Sequence, residues 1–251
     1  MRSRNPALTD RVFNDIRNYD LDLESSTMTA QGTVVKTMIS LLLVMLTAGF
    51  TWFRSVEAGL PSVLPLMLGG LIVGALFSLA TVFKPSWAAY TTPIYALAEG
   101  FFLGGLSAMV QAQFPQVQIV FQACALTFGT AFVMLVAYQT GLIRVTEKLR
   151  AGVMMATGAI ALVYLVSFIM RFFGASIPFI HSAGPIGIGF SVVVVGIAAF
   201  NLLLDFDMIE NLSRQRAPKH MEWYGAFALL VTLVWLYIEF LRLLSKLNRR
   251  N

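Results

Sequence analysis

Seven uninterrupted apolar blocks, each of roughly 20 residues, constrain this chain more than any other feature, because that length crosses a ~30 Å hydrocarbon layer as an α-helix. They are read at 34–53, 62–83, 92–113, 117–139, 151–173, 185–206 and 221–244. Lipid offers no partner to a free N–H or C=O, so a spanning segment is a helix or a strand of a closed barrel. Barrel strands alternate lipid-facing and lumen-facing residues, whereas these blocks are apolar throughout. The expected fold class is therefore an all-α polytopic membrane protein with seven transmembrane helices. Composition agrees: 57% of the 251 residues are apolar and 12% are charged, against about 25% charged in an ordinary soluble domain.

Three regions follow: a polar arm over 1–33, the membrane domain over 34–244, and a short basic tail over 245–251. The arm has no apolar core and no cleavage site, so it is not read as a signal peptide, and targeting falls to the first span. Within it Leu8, Val12, Ile16, Tyr19 and Leu23 recur at helical spacing; a short helix on the membrane surface and an irregular tail both remain open. The formal charge of +5 does not point to nucleic acid, since the basic residues cluster at the ends of apolar blocks. Twelve Lys and Arg fall on the N-terminal side of the seven spans and six across the membrane. That asymmetry places the N-terminus in the cytoplasm. The basic C-terminal tail then lies outside, unless one span is re-entrant.

Pro61, Pro93 and Pro185 sit at or near the starts of spans, where a missing N–H costs little, and Pro65 lies slightly inside one. Gly70 with Gly74, and Gly100 with Gly104, have the GxxxG spacing, and Gly184, Gly187 and Gly189 open the sixth span. Such residues let helix backbones approach closely, and packing is their first reading. One cysteine, Cys124, excludes an intrachain disulfide and leaves no Cys/His zinc cluster.

A charge at membrane depth is a functional hypothesis by default. Glu99 lies about two turns into the third span, roughly 10 Å from the N-terminal side at 1.5 Å of rise per residue. Asp205 and Asp207 end the sixth span near that same side, and Glu210 continues the acidic face into the loop. Glu239 is about 27 Å along the seventh helix, at the outer face. It shares that level with Arg171 and Arg242, its i,i+3 neighbour, which makes a structural ion pair its first reading. Asp205 has no Lys or Arg in its own span to neutralise it. Two carboxylates at one depth do not both ionise without a partner, so their sharing of a proton becomes pH-sensitive. Such a pair is a latch, and its oxygens suit a hard cation such as Ca²⁺. Asp205 and Glu99 are the candidate calcium ligands, and Asp205, Asp207 and Glu239 candidate gating groups.

The stretch NLLLDFDMIE followed by APKHMEWYGAFALLVTLVWLYIEFLRLLSKL resembles the Bax-inhibitor-motif family of seven-span membrane proteins. TPIYALAEGFFLGGLS and TMTAQGTVVKT look like its bacterial branch, and the likeness covers about residues 27 to 247. The resemblance implies a bacterial inner-membrane protein with a central last helix wrapped by the other six. It also implies a pH-dependent calcium leak governed by two aspartates. Asp205 matches the first through its LLLD context. For the second, a gapless alignment offers Thr232, whereas matching YIEF to the family's YLDF offers Glu239. Depth favours Thr232, about 16 Å along the last helix. A threonine cannot repel Asp205, which puts the two-aspartate switch in doubt, and Glu99 replaces the missing partner only if the third and sixth helices meet.

No enzyme is expected. An intramembrane aspartyl protease needs a carboxylate pair and a GxGD-like signature, where this chain has GIGF. His181 and His220 lie in loops on opposite sides, so neither readily serves a serine, and the last span carries no mid-helix lysine for retinal. No cofactor is expected, Ca²⁺ entering only as the transported ion. Two functions compete: a pH-sensitive calcium or cation leak, and a non-conducting regulator that binds a membrane quality-control protease, with the arm as contact surface. The bilayer is the expected partner in either case, and the oligomeric state stays open.

Overall fold

The computed structural model describes residues 26–174 and 182–250. Over these the chain forms α1 (Ala30–Ala58), α2 (Leu64–Phe83), α3 (Ala88–Gln113), α4 (Ile119–Gln139), α5 (Glu147–Phe172), α6 (Pro185–Arg214) and α7 (Met221–Arg250). Each of the seven is long and apolar enough to cross a membrane. Among the described residues the sole β-type contact is an isolated bridge from Thr27 to Pro218. The apolar stripe from Leu8 to Leu23 lies outside the described residues, as does His181.

The helices overrun several of the apolar blocks for a physical reason. Hydropathy marks where hydrocarbon begins, but a helix continues into the interface, where water solvates its polar side chains. Thus α1 starts at Ala30, with Thr29 as its N-cap accepting the Gly32 N–H at 2.9 Å. In the same way α6 extends to Arg214, and α7 takes in most of the basic tail. Pro65 and Pro185 stand in the first turns of α2 and α6, where their rings fit. Pro93 departs from expectation: α3 begins at Ala88, so this proline lies inside the helix.

α7 packs against α1, α3, α4 and α6, and its central position is the organising fact of the bundle. α2 and α5 are peripheral, α2 lying on α3 and α5 on α6. Where helices meet, lipid is as apolar as the side chains, so association depends on close packing. The glycine pairs supply it. A Cβ on Gly70 would lie 2.5 Å from the Ala98 carbonyl oxygen, and one on Gly104 2.5 Å from that of Ala48. α3 is thus pressed between α2 and α1, and Thr47 Oγ1 of α1 donates to the Leu97 carbonyl of α3 at 3.0 Å. Of the glycines opening α6, Gly187 is buried, while Gly189 faces open space.

Candidate functional site

The link between α6 and α7 spans 215–220, with Arg216 held at a φ of 52°. It returns the chain antiparallel, so residues equally far from the turn face each other. Asp205 is about 14 Å back along α6 and Thr232 about 16 Å forward along α7 at 1.5 Å per residue. They meet: Thr232 Oγ1 donates to Asp205 Oδ2 at 2.6 Å. Leu202 and Leu203 are buried just before Asp205, and Leu230 and Leu233 flank Thr232 on α7. Among the described residues no Lys or Arg pairs with Asp205. The site is one partly buried carboxylate held by one hydroxyl.

The other sequence-predicted carboxylates go elsewhere. Glu99 is buried on α3 and points at α2, its Oε2 3.1 Å from where a Cβ on Gly74 would stand. No hydrogen bond among the described residues reaches it. The condition for its joining Asp205 is not met, because α3 and α6 each pack on α7 rather than on one another. Asp207 accepts from Arg150 Nη2 at 2.6 Å and Asn211 Nδ2 at 2.9 Å. Glu210 takes the Tyr138 hydroxyl and, at 2.5 Å, Arg214. Both line a cleft of about 910 Å³ between the N-terminal-side ends of α1, α4 and α6.

Glu239 is almost wholly buried near the other end of α7, about two turns beyond Thr232. Its Oε1 accepts from Tyr164 Oη at 2.9 Å and Arg242 Nη1 at 2.7 Å, and the guanidinium lies 4.7 Å from the Tyr164 ring centroid. This cluster ties α5 to α7 and stands apart from Asp205. The Arg171 side chain lies outside the described residues.

Two polar groups escaped the sequence reading. Lys246, counted there in the tail, is buried and donates to the Gly187 carbonyl at 2.9 Å and Ser191 Oγ at 2.8 Å, joining α7 to α6. Glu222 is fully buried at the head of α7. Its Oε1 accepts the Thr29 N–H and Oγ1–H, each at 2.9 Å, and lies 3.0 Å from Lys219 Nζ, while Oε2 takes Lys36. Gly32 leaves the room: a Cβ there would occupy the space of the carboxylate. Backbone bonds from Met28 to Ala217, 2.7 Å, and from Lys219 to Ser26, 2.9 Å, complete the strap. The signal was present in TMTAQGTVVKT and APKHMEWY, whose resemblance did not reveal that the two segments touch.

A polytopic seven-helix membrane protein with a central last helix and a partly buried carboxylate between its last two helices is the class that this geometry defines. The family model described as Bax inhibitor 1 like matches residues 5–249, and the chain belongs to that family. No curated protein and no solved structure matches it.

Proposed function

We propose that this protein is a cation leak of a bacterial inner membrane, its N-terminus cytoplasmic, passing Ca²⁺ or another hard cation along a path that includes Asp205. The observation that carries the reading is the Thr232–Asp205 contact: a carboxylate at membrane depth with a hydroxyl partner and, among the described residues, no cationic one. A charge so placed is costly and calls for a role. Carboxylate and hydroxyl oxygens suit a hard cation, which tolerates irregular geometry and retained water. Among the described residues no three His, Cys, Asp or Glu side chains converge. Passage past one carboxylate, rather than storage in a cage, is what this chemistry offers.

With threonine opposite, gating by repulsion between two ionised aspartates does not operate. The pH dependence comes instead from one group. Protonation removes the charge that attracts the ion, so flux falls as the medium is acidified. Asp207, whose charge Arg150 already engages, contributes little to the path.

The test is calcium flux into proteoliposomes over a pH series that spans neutrality. Wild type is compared with Asp205→Asn. A flux that rises with pH and is lost in Asp205→Asn supports the leak. No flux above empty liposomes, with the protein folded, would overturn it and leave the protease-binding reading, to be examined by deleting the arm and measuring association.

A further inference from the structure

A cavity of about 250 Å³ lies on the opposite side of α7 from α6, between α1 and α4. These two helices are not packed on one another; each packs on α7, which forms the floor between them. At the rim Met45 is 53% exposed and Phe128 49%, whereas Leu230 and Tyr237 on the floor are buried. The cavity therefore opens sideways, toward lipid. Trp52, at its far end, stands where amphipathic rings mark the membrane boundary.

The wall chemistry selects the occupant. Ser107 Oγ is bonded to the Leu103 carbonyl at 2.6 Å and to Tyr237 Oη at 2.7 Å, and Thr127 Oγ1 donates to the Ala123 carbonyl at 2.7 Å. The hydroxyls are thus engaged within the protein. The rest of the lining is almost entirely aliphatic, aromatic and glycine. An apolar cavity of even ~150 Å³ stays dry and takes up hydrocarbon. The mouth opens at a depth where the surrounding medium is itself hydrocarbon.

We propose that this cavity is a binding slot for one phospholipid acyl chain, which enters between α1 and α4 and lies against the face of α7 that carries Leu230, Leu233 and Tyr237. The chain completes the packing of α7 on the side away from Asp205. Gly49 is the threshold of the slot: it lines the cavity, and a Cβ there meets nothing within 4 Å.

The test uses the full-length protein in phosphatidylcholine vesicles doped with a phosphatidylcholine bearing a diazirine in one acyl chain. After photolysis, label is mapped by peptide. Ile72 and Leu76 of α2, 60% and 61% exposed, serve as the lipid-facing reference. In wild type the Leu230–Tyr237 stretch is expected to carry label although it belongs to the central helix. Gly49→Phe should lose most of that label while the reference keeps its own, and Gly49→Ala should match wild type. Cys124→Phe, filling from the α4 wall, is expected to reproduce the loss. An unlabelled Leu230–Tyr237 stretch in wild type overturns the proposal, whatever the variants do. Equal α7 labelling in wild type and in a folded filling variant overturns it too, since the chain would then arrive by another route.

Discussion

At the scale of single residues, the decisive substitution is threonine where the family resemblance leads one to expect a second aspartate. The Thr232–Asp205 bond replaces an electrostatic contact by a hydrogen bond to a charge, worth about 1.5–3 kcal/mol when its geometry is good. Thr232→Val, nearly the same size, leaves Asp205 without its donor and is expected to lower stability by about 1–3 kcal/mol, the range for an unsatisfied polar group. Thermal unfolding in detergent measures it. Thr232→Asp makes the complementary prediction. It sets two carboxylates face to face, so the ionised pair repels and the singly protonated pair holds. Flux in that variant should rise more steeply with pH than in wild type, and a profile identical to wild type would show that the α6–α7 contact does not gate. How far this site could be read from sequence depended on one piece of arithmetic: counting rise along two antiparallel helices puts Thr232, and not Glu239, at the level of Asp205. The direction in which Glu99 points was not legible, because a periodic pattern does not say which neighbouring helix a buried face meets.

At the scale of elements, two devices hold helices together. One is the strap at the head of α7, where Glu222 gathers Thr29, Lys36 and Lys219. Breaking a buried ion pair from one side costs about 3–5 kcal/mol. Lys219 is 44% exposed and Lys36 19%, so both ends can still find water, and Glu222→Ala is expected near the low end of that range. Lys219→Met should cost far less, since Lys36 and Thr29 still satisfy the carboxylate. Paired unfolding curves in detergent distinguish the two, and equal losses would mean that Glu222 acts through packing alone. The second device is the glycine contact between α1 and α3. Gly104→Leu puts a side chain against the Ala48 backbone, which cannot rotate away, and overpacking of this kind costs about 1–3 kcal/mol or more. Gly189→Leu faces open space and should be nearly neutral by the same assay. The sequence reads both glycines as packing residues; only the neighbouring backbone separates them.

At the scale of the whole molecule, seven spans would put the two ends of the chain on opposite sides, and the basic-residue asymmetry predicts a cytoplasmic N-terminus. In a Cys124→Ala background, a cysteine at Gln116, in the α3–α4 link, should react in intact cells with a maleimide that does not cross the membrane. A cysteine at Gln215, in the α6–α7 link, should react only after lysis. The reverse pattern would invert the molecule and place the Asp205 end of the bundle outside.

By itself the sequence determined the number and positions of the helices, because continuous apolar blocks of spanning length leave the backbone no other way to satisfy its polar groups in lipid. It also marked Asp205 as a charge with no Lys or Arg in its own apolar span. The tertiary structure decided which helices are neighbours, and with that the surroundings of the other buried ionisable groups among the described residues. Glu99 turns to α2, Glu239 adds Tyr164 to the Arg242 pairing its spacing had already predicted, Glu222 turns to the root of the N-terminal arm, and Lys246 to the start of α6. Inside a membrane nearly every helix surface is apolar and the hydrophobic pattern no longer distinguishes a lipid-facing side from a packed one. Shape, set by glycines and by hydrogen bonds between residues far apart in the chain, makes that choice.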